Sequence, residues 1–234
     1  MMSDTNTTDQ QLLAQKLINE RDEKEIRFIL IGKSGHGKWR TTRFEIFEVD
    51  HLGKSSVGNS FCGAKVFQTS SASSSCTKQC LVRYREFEGT IFFICDTPGL
   101  FDTSKTLDDI KKEICRPLKG MVSPGPHAFL IVLSAAHRYT EEEQKTIEYI
   151  KEIFGSDAGK YCILIITRED DILNDEKTVD QYLQEAEEPL RRLVTQCGNR
   201  YLAINNRSSQ IERDEKLRQL IRIVRNMLRE NKSR

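Results

Sequence analysis

No Cys-x-x-Cys pair occurs in the 234 residues, and the seven cysteines (62, 76, 80, 95, 115, 162 and 197) are odd in number. That speaks against a disulfide framework and for a reducing compartment. The four histidines stand apart at 36, 51, 127 and 137, so the spacing of a zinc site is missing. No apolar run approaches the ~20 residues that cross a bilayer. No h-region opens the chain, and Asn231-Lys232-Ser233-Arg234 carries neither a hydrophobic anchor nor a lipidation motif. Charge of one sign is not in excess either. With 36 Lys and Arg against 35 Asp and Glu the net is +1, so bulk charge implies no attraction to nucleic acid or to an anionic membrane. These absences lead us to expect a cytoplasmic protein that reaches intracellular membranes, where it does so, through partners or assembly.

What is present begins with Gly32-Lys33-Ser34-Gly35-His36-Gly37-Lys38. In a phosphate-binding loop, glycines let successive backbone N–H groups point into one concavity. A Lys reaches the β/γ-phosphates, and a Ser or Thr opens the next helix while ligating magnesium. Here Trp39 stands where that hydroxyl belongs, and Ser55-Ser56-Val57-Gly58-Asn59-Ser60 follows only after the sixteen residues 39–54, which themselves end in Gly53-Lys54. Two registers result. In one, Lys38 holds phosphate across the intervening segment, favoured by the clustering of Gly32, Gly35 and Gly37 around it. In the other, Lys54 stands directly before Ser55 and residues 32–38 are slack. Glu25 to Ile31 is the apolar strand such a loop must follow, and Ser55 to Cys62 reads as a helix with hydroxyl capping, ended by Gly63.

Strand patterns at 25–31, 79–87, 90–95, 127–133, 160–166 and 200–204 alternate with helical ones. This predicts an α/β fold with a mostly parallel sheet covered on both faces, its antiparallel exception being the hairpin around Glu88-Gly89. Helices are expected after a capping box at Thr140 to Glu143, over Thr178 to Cys197 with a break at Pro189, and from Ile211 to about Arg229, with a further short one over Gln10 to Arg21. Residues 1–24 read as a polar tail, 25–234 as one domain, and 39–54 as an insertion within its phosphate loop.

Asp96-Thr97-Pro98-Gly99 follows the third strand, where a carboxylate can hold magnesium through water. Ser70 to Thr77 is small and polar, reads as a switch loop, and ends on a hydroxyl that can complete the metal shell. After the fifth strand, Thr167-Arg168-Glu169-Asp170-Asp171 offers a carboxylate to the N1–H and N2–H₂ edge of guanine, which adenine lacks. Asn205-Asn206-Arg207 follows the sixth strand and can place an amide on the base.

Together with Thr77-Lys78-Gln79-Cys80, Gly125-Pro126-His127-Ala128 and Arg138-Tyr139-Thr140-Glu141, these segments resemble the GTPases of immunity-associated proteins over about residues 25 to 230. The resemblance implies a P-loop NTPase G domain related to septins and chloroplast-import GTPases, with strand order 2-3-1-4-5-6, strand 2 antiparallel, binding GTP/GDP and Mg²⁺. It implies nucleotide contacts from Gly32, Lys33, Ser34, Gly35, His36, Gly37, Lys38, Ser55, Ser56, Thr69, Arg168, Glu169, Asp171, Asn205 and Asn206, and metal contacts from Ser55, Thr77 and Asp96. Glu169 stands where the family often has Lys. It further implies GTP-dependent homo- or hetero-oligomers through the G-domain face. The expected function is a GTP-dependent assembly switch with slow or partner-dependent hydrolysis, because no Gln or Arg follows Asp96-Thr97-Pro98-Gly99 as an activator; no catalytic residue is assigned. The alternative is a nucleotide-free interaction protein disabled by residues 39–54. An ATP-dependent enzyme is disfavoured by Asp171.

Overall fold

The computed structural model describes residues 24–32, 53–69, 77, 79–98, 108–109, 111–112, 125–136 and 139–232. Six strands form one sheet: β1 (Glu25–Ile31), β2 (Leu81–Phe87), β3 (Thr90–Asp96), β4 (Ala128–Ser134), β5 (Cys162–Thr167) and β6 (Tyr201–Ile204), in the order β2-β3-β1-β4-β5-β6. Every neighbouring pair is parallel except β2 with β3. Glu88 (φ 49°) and Gly89 (φ 73°) join that pair in the left-handed conformations of a two-residue hairpin turn. The described strands thus have the order and the single antiparallel pairing expected from sequence.

Alternate strand residues point to opposite sides, so the central strands, apolar at nearly every position, feed two cores. Ile29, Ile31, Ile131 and Leu164 face α3 (Thr146–Phe154), α5 (Val179–Glu185) and α6 (Glu188–Gln196). Phe28, Leu30, Leu130 and Ile165 face α1 (Lys54–Cys62) and α7 (Gln210–Lys232). The Thr140 capping box forms: Thr140 N–H donates to the Glu143 carboxylate at 2.8 Å and Glu143 N–H to Thr140 Oγ1 at 3.4 Å. The helix it opens, α2 (Glu141–Gln144), is separate from α3, with Lys145 between them. The break expected at Pro189 falls at Ala186 and Glu187, which are extended; Pro189 lies in the first turn of α6, where its missing N–H forfeits no helical bond. Residues 169–174 form a short helix, α4 (Glu169–Asn174). The candidate helix over 10–21 lies outside the described residues.

Gly125-Pro126-His127 serves the sheet at the edge opposite the carboxyl ends. Arg27 N–H donates to His127 Nδ1 at 3.0 Å and His127 N–H donates to Arg27 O at 2.8 Å. The Arg27 side chain, 2% exposed, donates from Nε to Gly125 O at 2.7 Å and pairs with Glu25 at 3.1 Å. His127→Ala leaves a buried backbone N–H without its acceptor, which costs about 1–3 kcal/mol. Thermal unfolding should show a Tm lower by about 2–4 °C for each kcal/mol at this chain length; an unchanged Tm would remove the structural role.

Candidate nucleotide site

The site grows from the carboxyl edge of the sheet, where Leu30 of β1 is in register with Asp96 of β3. Gly32 follows β1 so closely packed that a Cβ there would lie 2.6 Å from Val132 O, which leaves glycine as the residue that fits. Helix α1 opens beside it, one residue earlier than the sequence pattern placed it. Its N-cap is Gly53, whose carbonyl accepts from Ser56 and Val57 N–H, and no side chain caps it. The expected hydroxyl cap is absent because Ser55 is engaged elsewhere: its Oγ donates to Asp96 Oδ2 at 2.6 Å. Thr77 Oγ1 donates to the same oxygen at 3.1 Å and lies 3.4 Å from Ser55 Oγ. Thr97 Oγ1 ties the end of β3 to Leu30 O at 2.7 Å.

Lys54 is the first residue of α1. It immediately precedes Ser55, is 6% exposed, and donates from Nζ to Gly32 O at 3.0 Å. Burial pushes its ammonium pKa down, and the neighbouring Asp96 charge opposes that shift. Asp96, 1% exposed, is pushed up by burial and drawn back by Lys54 and by the hydroxyls of Ser55 and Thr77. Its Oδ1 is buried with no hydrogen-bond partner among the described residues, an acceptor that a metal's water ligand would satisfy. Two hydroxyls and a half-satisfied carboxylate therefore fit a hard divalent cation, so Ser55, Thr77 and Asp96 are brought together as the sequence expected. Lys33, Ser34, Gly35, His36, Gly37, Lys38 and Gly99 lie outside the described residues. Ser56 is buried in the first turn of α1, and Thr69 is half-buried beyond its end.

At the other end of the edge, β5 finishes at Thr167, whose hydroxyl donates to Leu133 O at 3.2 Å. Arg168 turns the chain in the left-handed conformation (φ 65°) and forms a bidentate pair with Asp171, at 2.9 and 2.8 Å. Asp171 is thus held by the Arg168 guanidinium in the first turn of α4. Glu169 pairs with Lys216 of α7 at 2.6 Å. An ammonium is therefore delivered from α7 to the position next to Arg168, an exchange that the isolated Glu169 did not announce. The two asparagines separate in role. Asn206 is buried and its Oδ1 accepts from Ser60 Oγ at 2.8 Å, tying the loop after β6 to α1. Asn205 accepts from Arg207 N–H at 2.8 Å in a local turn at the surface.

The model of the AIG1 family matches residues 50–234. The chain belongs to the AIG1 family. Immune-associated nucleotide-binding protein 9 of Arabidopsis thaliana is 33% identical over 206 residues, covering 87% of this chain and 55% of that protein. Immune-associated nucleotide-binding protein 1 of the same plant is 34% identical over 182 residues, covering 76% of this chain and 80% of that one. The chain spans about half the length of the first of these relatives. Among solved structures, Arabidopsis Toc33 in complex with Mg²⁺ and GMPPNP superposes with a TM-score of 0.53 at 19% identity, covering 86% of this chain and 80% of that chain. At that identity the likeness shows the fold, that of a P-loop GTPase G domain.

Proposed function

We propose that this AIG1-family domain binds guanine nucleotide with Mg²⁺ and uses the γ-phosphate to order an assembly surface, with Lys54 as its phosphate lysine. The observation that carries the reading is the cluster of Lys54, Ser55, Thr77 and Asp96 gathered on Gly32 at the carboxyl edge of β1. The family match begins at Asp50, just ahead of Gly53-Lys54-Ser55, which supports the same register and the reading of 39–54 as inserted chain. Relatives named as nucleotide-binding and a structural neighbour holding GMPPNP and Mg²⁺ point to the same ligand.

Each residue has a definable task. Lys54 exchanges its bond to Gly32 O for phosphate oxygens, which compensate its buried charge better than a single carbonyl does. Ser55, Thr77 and Asp96 would hold Mg²⁺, which when bound neutralises charge on the β- and γ-oxygens. Because Thr77 belongs to the segment after Thr69, its contact carries the presence of a γ-phosphate to that segment. Asp171 accepts from the guanine N1–H and N2–H₂ edge once Arg168 moves off. Without an activator after Asp96, hydrolysis in the isolated chain is slow, on the order of 10⁻⁴ s⁻¹. For atToc33 and psToc159, dimerization is important for the GTPase activity, and a partner G domain is our proposed accelerator here too.

Trp39 is the sole tryptophan and borders the loop. Titration of the full chain with Mg²⁺–GTP and Mg²⁺–ATP, followed by Trp39 emission and by calorimetry, should show binding of GTP alone. No heat and no spectral change at millimolar GTP would leave a nucleotide-free interaction protein as the reading. Asp171→Asn tests the base. Its amide presents a donor where guanine also presents one, so GTP binding should fall by roughly 10- to 100-fold while XTP, with an acceptor at that position, binds comparatively better. Parallel losses for both nucleotides would remove Asp171 from base recognition.

A further inference from the structure

The net charge of +1 conceals a separation of charge across the sheet. On one side, the segment from Asp175 to Glu188 carries Asp175, Glu176, Asp180, Glu185, Glu187 and Glu188, all exposed, with Lys177 as its one cation. Helices α5 and α6 of this segment anchor Leu183, Leu190 and Leu193 in the core that contains Ile29 and Ile31. On the other side, α7 carries Arg222, Arg225, Arg229 and Lys232, all exposed, with Glu230 as the one carboxylate in that stretch. Intervals of three or four residues put these cations in a single row about 15 Å long. The opposite flank of α7 buries Leu217, Leu220, Val224 and Met227 in the core that contains Phe28 and Leu30. Since Ile29 and Leu30 are successive strand residues, the two cores, and the two charged surfaces above them, lie on opposite sides of the sheet. One molecule cannot bring them together.

We propose that the acidic surface over 175–188 of one copy docks on the basic row of α7 of another, a head-to-tail contact independent of nucleotide. A second copy is the one occupant that uses both surfaces. The row offers no aromatic side chain on which a nucleic-acid base could stack, and the apolar residues between its cations, Ile223, Val224, Met227 and Leu228, pack in or against the core rather than standing outward for insertion into lipid. Such a contact is heterologous, so it leaves one surface of each kind open at the ends and adds copies in a row. It goes beyond the nucleotide reading, which concerns the carboxyl edge of the sheet and predicts assembly only with GTP.

Sedimentation velocity of the full chain without nucleotide tests it first. Exposed pairs are individually weak and screened, so association should appear at about 10 mM ionic strength, where the Debye length is about 30 Å, and vanish near 150 mM, where it is about 8 Å. The salt response should be the same with and without GTP. R222E/R229E and D175K/E187K should each be monomeric at low salt, with thermal unfolding confirming the fold. Mixed in equal amounts, the two variants retain one native surface of each kind, and their reversed surfaces are complementary in turn, so the mixture should regain association. A wild-type chain that stays monomeric at low salt, a single-surface variant that still self-associates, or a mixture that behaves as the sum of its parts overturns the proposal. Retention of monomeric wild type on phosphatidylserine vesicles, lost in R222E/R229E, assigns the row to a lipid surface and overturns it equally. Association seen only with GTP would uphold the nucleotide reading and discard this one.

Discussion

Lys54→Ala should abolish GTP binding at micromolar protein, whereas Lys38→Ala should leave it nearly unchanged. The asymmetry follows from where α1 begins. The Lys54 ammonium is 6% exposed and held on Gly32 O, one residue from the hydroxyl that touches Asp96. Truncating one partner of a buried, hydrogen-bonded charge pair costs about 2–5 kcal/mol, so affinity should fall by about 30-fold to several thousand-fold. The free protein suffers less, because burial already pushes the Asp96 pKa up and the carboxyl can take a proton when Lys54 is gone. Lys54→Met, which keeps the alkyl stem, should match Lys54→Ala in calorimetry while retaining more of the Tm. The opposite pattern, with binding lost in Lys38→Ala and kept in Lys54→Ala, would reverse the register.

The extent to which the site was legible differs between its two ends for a physical reason. Ser55 lies in the first turn of α1, Asp96 ends β3 and Thr77 stands just ahead of antiparallel β2, whose start meets the end of β3, so their convergence on one sheet edge could be read from the order of elements. The strand order and the hairpin at Glu88-Gly89 were legible on the same grounds, from apolar runs and turn residues. The choice between Lys38 and Lys54 was less so, since glycine clustering points to the first while adjacency to Ser55 points to the second. The described residues bear on the second signal alone: Lys54 opens α1 one residue ahead of Ser55 and bonds Gly32 O, while residues 33–38 lie outside them. At the base end, the Arg168–Asp171 pair needed the left-handed turn at Arg168, and the Glu169–Lys216 pair joins residues 47 positions apart. Neither leaves a pattern along the chain. Asn206 was named for the base, and the bond its Oδ1 accepts from Ser60 joins residues 146 positions apart, which the sequence pattern did not show.

Excision of residues 39–54, joining Lys38 directly to Ser55, should strengthen GTP binding by at least tenfold and move the phosphate lysine. In the full chain, 21 residues separate Gly32 from Lys54, and those that touch phosphate must be ordered when it binds. Fixing a residue's backbone costs about 1–2 kcal/mol, while the difference in closure between that loop and a contiguous one of five or six residues is about 1 kcal/mol. Either alone accounts for close to a factor of ten. The shortened chain reads Gly32-Lys33-Ser34-Gly35-His36-Gly37-Lys38-Ser55, with the three glycines and the lysine at the separations a phosphate cradle needs. Lys38→Ala, harmless in the full chain, should then become as damaging as Lys54→Ala was before. Calorimetry on the four proteins, full and shortened, each with and without Lys38→Ala, reads this crossing directly. Equal affinity for GTP in the full and shortened chains would mean that residues 39–54 impose no ordering cost and that the phosphate loop is complete without their removal.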